Sequence, residues 1–325
     1  MANLNEQSIK IALVTGATGF VGSNLVAALV NQGITVRVYS RQPYRAESAL
    51  TVPEECWFTG ELTQQSRFIA ACDGVDVVFH CAGVAHSSGR DRSEAIAVNC
   101  SRTKSVYSCS AYAGVKLFLY ISSIHATEPA RSAYAESKRM AEDYLISCSE
   151  KRPVPKVVIL RPANVYGPGM KGNIITFLRL ARSGIMPSLP KFNNSIPMVS
   201  VQDLCSVAIS AASGIGIEGG HPEIYTVTDN EQYTPNRIES AAYAALERQE
   251  PTVRIPRSVL LLAAIFASLI DWLGLSRNQL GLRLYRSLSG YQLQNTSAPA
   301  PIYSYTPTAT IESEMPKILN SLEEA

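Results

Sequence analysis

Six compact apolar runs punctuate the first half of the chain, at residues 9–15, 35–40, 56–59, 75–81, 116–121 and 156–161. Each is rich in Val, Ile or aromatic residues and lacks clean polar alternation, which predicts strands buried on both faces, as in a parallel sheet. Between them, helical stretches run from Phe20 to Gln32 and from about Arg92 to Ala113. Gly33 and Gly114 follow these stretches, where a helix C′ residue needs positive φ. Strand, helix and strand in repetition predict a doubly wound α/β sheet whose ligand crevice lies beyond the carboxyl ends of the strands.

The pattern changes after Arg161. Pro- and Gly-rich connections then separate isolated helices near 173–183, 203–213, 235–248 and 257–273, and one short strand near 224–228 is expected to return to the main sheet. This divides the chain into a nucleotide-binding part, 1–165, and a smaller, mostly helical C-terminal substrate cap, 166–325. Val259 to Ile270 is apolar all round and bracketed by Arg254, Arg257 and Arg277. It is shorter than the ~18–20 residues of a bilayer span and reads as a buried cap helix; peripheral membrane contact through 259–270 is the alternative.

Composition narrows the classes. With 325 residues, 46% hydrophobic and 17% charged, the chain has the makings of a large core and not of a disordered or fibrous protein. A formal charge of +2, without any interleaved basic and aromatic stripe, argues against nucleic acid as a partner. The seven cysteines are odd in number and none stands in CxxC spacing. Neither a metal site nor a disulfide framework is expected, and a reducing cytoplasm is the simplest location. The opening MANLNEQSIK lacks the basic and apolar regions of a secretory leader.

Three features carry chemistry. Directly after the first apolar run stands Thr15-Gly16-Ala17-Thr18-Gly19-Phe20-Val21-Gly22, a TGxxGxxG turn opening a helix. Its glycines permit a tight turn and close backbone approach to a pyrophosphate, and the helix N-terminus offers free N–H groups, the Rossmann-type dinucleotide arrangement. Next, Tyr134 and Lys138 form a YxxxK pair, facing one way if helical, with Ser122 and Ser123 at the end of the preceding strand. An ammonium beside a phenol stabilises the phenolate and brings its pKa toward the working range. Third, the second strand ends Val36-Arg37-Val38-Tyr39-Ser40-Arg41, without the acid that binds both adenosine ribose hydroxyls and repels a 2′-phosphate. Ser40 and Arg41, with Arg45 nearby, suit such a phosphate, so NADP(H) is preferred and NAD(H) is the alternative.

In this order, TGATGFVG, HCAG (80–83), AVN (97–99), YISS (120–123), YAESK (134–138), RPANVYGPG (161–169) and VSVQDL (199–204) resemble the extended short-chain dehydrogenases/reductases, the NAD-dependent epimerase/dehydratase family. The resemblance implies an enzyme in which Tyr134 is the acid/base, Lys138 lowers its pKa and holds the nicotinamide ribose, and Ser123 bonds the reacting oxygen. It also implies that Cys81, Ala82, Gly83 and Asn99 line the cofactor channel, that Glu61 and Leu62 lie near the adenine, and that Pro162 borders the nicotinamide. His86, Ser123, Asn164 and Asn173 are the implied substrate contacts. Members often form homodimers through the two helices that here span Arg92 to Ala113 and Tyr134 to Glu150.

The C-terminal segments are similar to the caps of 4-ketohexose reductases and 4-epimerases acting on UDP-linked or polyprenyl-linked sugars, enzymes of polysaccharide biosynthesis. Only ten residues separate Ser123 from Tyr134, about half the family's usual loop, which trims the substrate contacts. Ile124 and His125 stand where sugar 4,6-dehydratases carry an Asp-Glu pair, so dehydration is disfavoured. The expected activity is NAD(P)-dependent reduction of a 4-keto nucleotide-sugar. The alternatives are 4-epimerisation, reduction of a steroid-like or flavonoid-like carbonyl, and a non-catalytic NADP sensor.

Overall fold

The computed structural model describes residues 9–46, 50–84, 92–151, 155–184, 188–213, 221–272, 281–282, 285 and 304–322. Strands Ile11–Thr15 (β1), Thr35–Ser40 (β2), Trp57–Thr59 (β3), Val77–His80 (β4), Leu117–Ile121 (β5) and Lys156–Pro162 (β6) come first along the chain. The short Asn164–Tyr166 (β7) and Met198–Ser200 (β8) pair with each other, and Glu223–Val227 (β9) pairs with β6. The main sheet has seven strands in the order β3-β2-β1-β4-β5-β6-β9, all parallel. This is the doubly wound sheet expected: chain order reverses at β1, the switch point beside which such sheets hold ligands.

The helices are Phe20–Asn31 (α1), Gln65–Ala71 (α2), Arg92–Ile96 (α3), Arg102–Tyr112 (α4), Ala133–Lys151 (α5), Asn173–Ser183 (α6), Val201–Ser213 (α7), Pro235–Ala245 (α8), Arg257–Trp272 (α9) and Ile311–Asn320 (α10). Gly33 and Gly114 take φ of +75° and +77°, as helix-terminating glycines require. The stretch from Arg92 to Ala113 is not one regular helix, because a π turn, Ala97–Ser101, separates α3 from α4 and turns Asn99 and Cys100 into the interior.

The chain forms two compact units. The first comprises Met1–Ala163, Val201–Val227 and Ala300–Tyr305, so α7 and β9 return to it from beyond residue 165. All of β4 and β5, and all but the first residue of β6, are buried, as a central parallel sheet demands. The core is built from Leu13, Phe68, Val78, Phe118, Leu145 and Ile159 with their neighbours.

The second unit comprises Asn164–Ser200, Thr228–Pro299 and Thr306–Ala325. It is mostly helical around the β7–β8 pair; the buried Tyr233 hydroxyl donates to Oδ2 of Asp229 at 2.9 Å, and that of Tyr166 donates to the Ala309 carbonyl at 2.9 Å with the same Asp229 oxygen 3.2 Å away. Arg237 of α8 bonds Glu312 of α10 at 2.5 Å, and Thr310 and Ser313 close a capping box at the start of α10. The expectation that 259–270 is buried is corrected here. Leu262 and Phe266 are 66% and 64% exposed, and Val259, Ile265 and Leu269 lie on the same outward arc. A helix at the edge of a small unit finds packing partners on one side only, whatever its composition. Among the described residues no helix is long and apolar enough to cross a membrane.

Candidate active site

The glycine turn joins β1 to α1 as its spacing predicts. Gly16 has φ +71°, and a Cβ there would lie 2.6 Å from the Ala82 nitrogen. A Cβ on Gly22 would overlap the Gly16 carbonyl, and Gly19 N–H donates to that carbonyl at 2.9 Å. The turn therefore packs backbone on backbone, which only glycine permits. No side chain caps the N-terminus of α1 at Gly19, so the first N–H groups of the helix are available to an anion. Thr18 and Gly19 are exposed, Phe20 and Val21 half-buried. A cradle of this form fits the pyrophosphate of a dinucleotide.

Behind the turn runs a buried hydrogen-bond chain that sequence reading missed. His80, fully buried at the end of β4, contacts Thr15 Oγ1 through Nδ1 at 2.7 Å and Thr103 Oγ1 through Nε2 at 2.9 Å. The Thr103 hydroxyl spends its single proton on the Asn99 carbonyl at 2.7 Å, so it accepts from His80. The Nε2–H tautomer is thereby fixed, and Thr15 donates to Nδ1. Burial, reinforced by the nearby Lys138 charge, lowers the His80 pKa to about 3, so the ring stays neutral.

The chain ends at Asn99, whose side chain makes three hydrogen bonds. Its Oδ1 accepts from Val84 N–H at 2.9 Å, and its Nδ2 donates to Val84 O at 3.3 Å and to Ser137 Oγ at 3.0 Å. Asn99 thus ties the segment after β4 to the inner face of α5. Cys81 and Ala82 are half-buried within that segment, and Gly83 faces Asn99: a Cβ on it would lie 3.0 Å from Asn99 Oδ1 and 3.3 Å from Lys138 Nζ. Burial pushes the Cys81 thiol up to about 12, so it is an inert wall rather than a nucleophile.

Tyr134 and Lys138 sit in the first turns of α5, with Ser123 just past the end of β5. Lys138 is 4% exposed; its Nζ donates to the Ile121 carbonyl at 2.9 Å and lies 4.7 Å from the centre of the Tyr120 ring. Burial lowers its pKa to about 8, against an opposing pull from Glu142 and then Cys81. Burial raises the Tyr134 pKa, and a hydrogen bond with Ser123 works the other way. Ser123 Oγ also accepts from His125 N–H at 3.2 Å, and the His125 ring stands edge-on to Tyr134 with centroids 6.3 Å apart. The structure therefore gathers Ser123, Tyr134, Lys138, Gly83 and Asn99 at the carboxyl ends of neighbouring strands. A proton donor, a hydroxyl partner and a buried ammonium converging there suit proton transfer to a carbonyl oxygen.

The other candidates are dispersed. Ser40 is buried at the end of β2, where its Oγ accepts from Gln42 N–H at 3.1 Å, while Arg41 and Arg45 are exposed. The Glu61 carbonyl accepts from Tyr39 at 3.3 Å and its carboxylate lies 3.8 Å from Arg102, whereas Leu62 packs into the core. Pro162 is buried at the end of β6. Within the second unit, Asn164 Nδ2 donates to the Pro197 carbonyl at 3.0 Å, holding β7 to the segment before β8. Asn173 opens α6, and His86 lies outside the described residues.

A model of the "NAD dependent epimerase/dehydratase family" matches residues 12–227. The chain is 28% identical over 275 residues to UDP-glucose 4-epimerase of Vibrio cholerae, covering 76% of this chain and 78% of that protein. It is also 28% identical over 298 residues to ceramide reductase of Caulobacter vibrioides, covering 89% and 87%. Among solved structures, UDP-N-acetylglucosamine 4-epimerase from Methanobrevibacter ruminantium M1, in complex with UDP-N-acetylmuramic acid, superposes with a TM-score of 0.71 at 19% identity. That match covers 98% of this chain and 99% of the other, and shows the fold.

Proposed function

The chain belongs to the NAD-dependent epimerase/dehydratase family, a family of enzymes, and on that premise we propose that it reduces a 4-keto nucleotide-sugar using NADP(H). The observation that carries the reading is the convergence of Ser123, Tyr134 and buried Lys138 beside Gly83 and Asn99. Gly16, Gly19 and Gly22 would hold the pyrophosphate of the dinucleotide and Lys138 its nicotinamide ribose, and the bound dinucleotide supplies the hydride. Ser123 orients the substrate carbonyl by hydrogen bonding. Tyr134 gives its proton to the carbonyl oxygen as the alcohol forms, and Lys138, kept charged, stabilises the phenolate left behind.

The similarity to UDP-glucose 4-epimerase favours a second reading, in which the same residues interconvert C4 epimers. The similarity to ceramide reductase supports a third reading, reduction of a lipid substrate of the ceramide class. The discriminating assay incubates the protein with UDP-hexoses, 4-keto nucleotide-sugars and a long-chain ketone, with and without added NADPH, and reads products by mass spectrometry and NMR. Stoichiometric NADPH consumption supports the reductase; net epimerisation without added cofactor overturns it in favour of the epimerase.

Cofactor preference rests on the end of β2, where Ser40 and exposed Arg41 stand in place of an acid. Arg41→Ala should weaken NADP(H) by about 1.5–3 kcal/mol, the scale of a hydrogen bond to a charged group, which is roughly 10- to 150-fold in Kd. NAD(H) affinity should hardly change. Calorimetric titration checks this, and equal affinity of the unaltered protein for both cofactors overturns the preference.

The pH profile follows from Lys138. A lysine whose pKa lies at about 8 is charged below that pH and neutral above it. The kcat/KM profile, which reports the free enzyme, should therefore bend downward near pH 8. Assembly is a homodimer in this reading, through α4 and α5, whose outer surfaces carry Tyr112 at 81% and Met140 at 37% exposure. Light scattering at micromolar concentration should give twice the monomer mass, and a monomer contradicts it.

A further inference from the structure

The inner face of α5 carries a second charged group that the proposed mechanism does not use. Tyr134, Lys138 and Glu142 follow one another at intervals of four, and Lys138 and Glu142 are both buried where a helix ordinarily presents apolar side chains. Glu142 is 0% exposed and its carboxylate is held from two strands. Arg161 of β6, 4% exposed, donates from Nε to Oε1 at 3.0 Å and from Nη2 to Oε2 at 2.6 Å, and Ser122, following β5, donates to Oε1 at 2.5 Å. This fork fixes an anion one helical turn behind Lys138, where i,i+4 side chains are neighbours.

Resting on the reading of Tyr134 and Lys138 as an acid/base unit, we propose that Glu142 is a positioning residue for it: it keeps Lys138 charged inside the fold, with Arg161 and Ser122 holding its carboxylate in register. The charge balance supports the assignment. Buried Lys138, Arg161 and Glu142 sum to one positive charge, the counter-charge of a Tyr134 phenolate. Without Glu142 the sum is two, and the buried ammonium sheds its proton more readily. Among the described residues, the titratable groups coupled to the Lys138 charge are His80 of β4, Cys81 after it and Glu142 of α5; the Tyr120 ring of β5 lies against its ammonium, and Tyr134 stands one turn before it on α5, so that Glu142 is the carboxylate in the set. Arg161 reaches this set through Glu142.

The test reads Lys138 directly and needs no substrate. The chain has nine lysines, at 10, 104, 116, 138, 151, 156, 171, 191 and 317. In protein carrying [ε-13C]lysine, the NMR signal missing from Lys138→Met identifies Lys138. Its titration midpoint should fall by about one pH unit or more in Glu142→Gln and stay within about 0.3 unit of the unaltered protein in Glu142→Asp, which retains the charge. If Glu142→Gln does not fold, Arg161→Met is read instead: the buried sum then falls to zero, and the Lys138 midpoint should rise. An unchanged midpoint in whichever of these folds overturns the proposal, and Glu142 then serves only to neutralise Arg161. Normal turnover of Tyr134→Phe in the substrate panel would instead overturn the acid/base reading itself, so the two failures are told apart.

Discussion

Replacing Tyr134 by Phe, or Lys138 by Ala, should lower kcat by at least ~100-fold, and the double variant should be little worse than either alone. The non-additivity is the diagnostic part. Lys138 donates to the Ile121 carbonyl and its ammonium lies over the Tyr120 ring; in the proposed mechanism its contribution to kcat at saturating cofactor comes through its charge on Tyr134, so little of that contribution should remain once the phenol is gone. Tyr134 needs that help, because burial raises its pKa and the Ser123 hydrogen bond opposes the rise in part. Steady-state rates of the two single variants and the double measure this. Independent, multiplying losses would mean that the residues do not act as one unit, and unchanged turnover in Tyr134→Phe would remove the mechanism.

The second large effect is on stability. Arg161→Met should cost ~3–5 kcal/mol, the usual cost of removing one partner from a buried ion pair, because Glu142 is left ionised in the core with Ser122 as its remaining hydrogen-bond donor. Glu142→Gln/Arg161→Met should recover most of that loss, since two neutral groups of similar shape need no counter-charge. Urea unfolding of the four proteins in this cycle gives the coupling. A loss below ~1 kcal/mol for the single variant would mean that the carboxylate takes up a proton or reaches water, contrary to its burial.

The elements that fix the site were legible because their signals are local. Continuous apolar runs mark β1, β4, β5 and β6, glycine supplies the turn at Gly16–Gly22, and the spacing of Tyr134 and Lys138 is readable once a helix is assumed. What escaped is either very short or settled over long range. Strands β7 and β8 have three residues each, too few for periodicity. Helix α10 carries Pro316 inside it, which argues against a helix, yet the capping box at Thr310 and Ser313 and packing on α8 hold it together. The π turn at Ala97–Ser101 has no pattern of its own; it exists because Asn99 is drawn inward to bond Val84 and Ser137.

Glu142 and Arg161 illustrate the long-range case. A charge is expected on a solvated face until a partner of opposite sign appears, and here the partners lie 19 residues apart on different elements. One signal was available: Glu142 falls four residues after Lys138, on the stripe that also carries Ala141 and Leu145 into the core. For α9 the reverse holds: an all-apolar sequence suggests burial, but helix composition does not say how many sides find a partner, and Leu262 and Phe266 face outward.

The central claim, hydride delivery to a sugar carbon with Tyr134 as proton donor, is tested most directly by isotope transfer. The unaltered protein and Tyr134→Phe are incubated with NADPH deuterated at C4 of the nicotinamide, on the transferred face, and a 4-keto UDP-hexose, and the sugar product is read by mass spectrometry. The account predicts that the unaltered protein yields a sugar alcohol one deuterium heavier and that Tyr134→Phe yields at most about one hundredth as much in the same time. No deuterium in the sugar, or equal labelling by the two proteins, would contradict it.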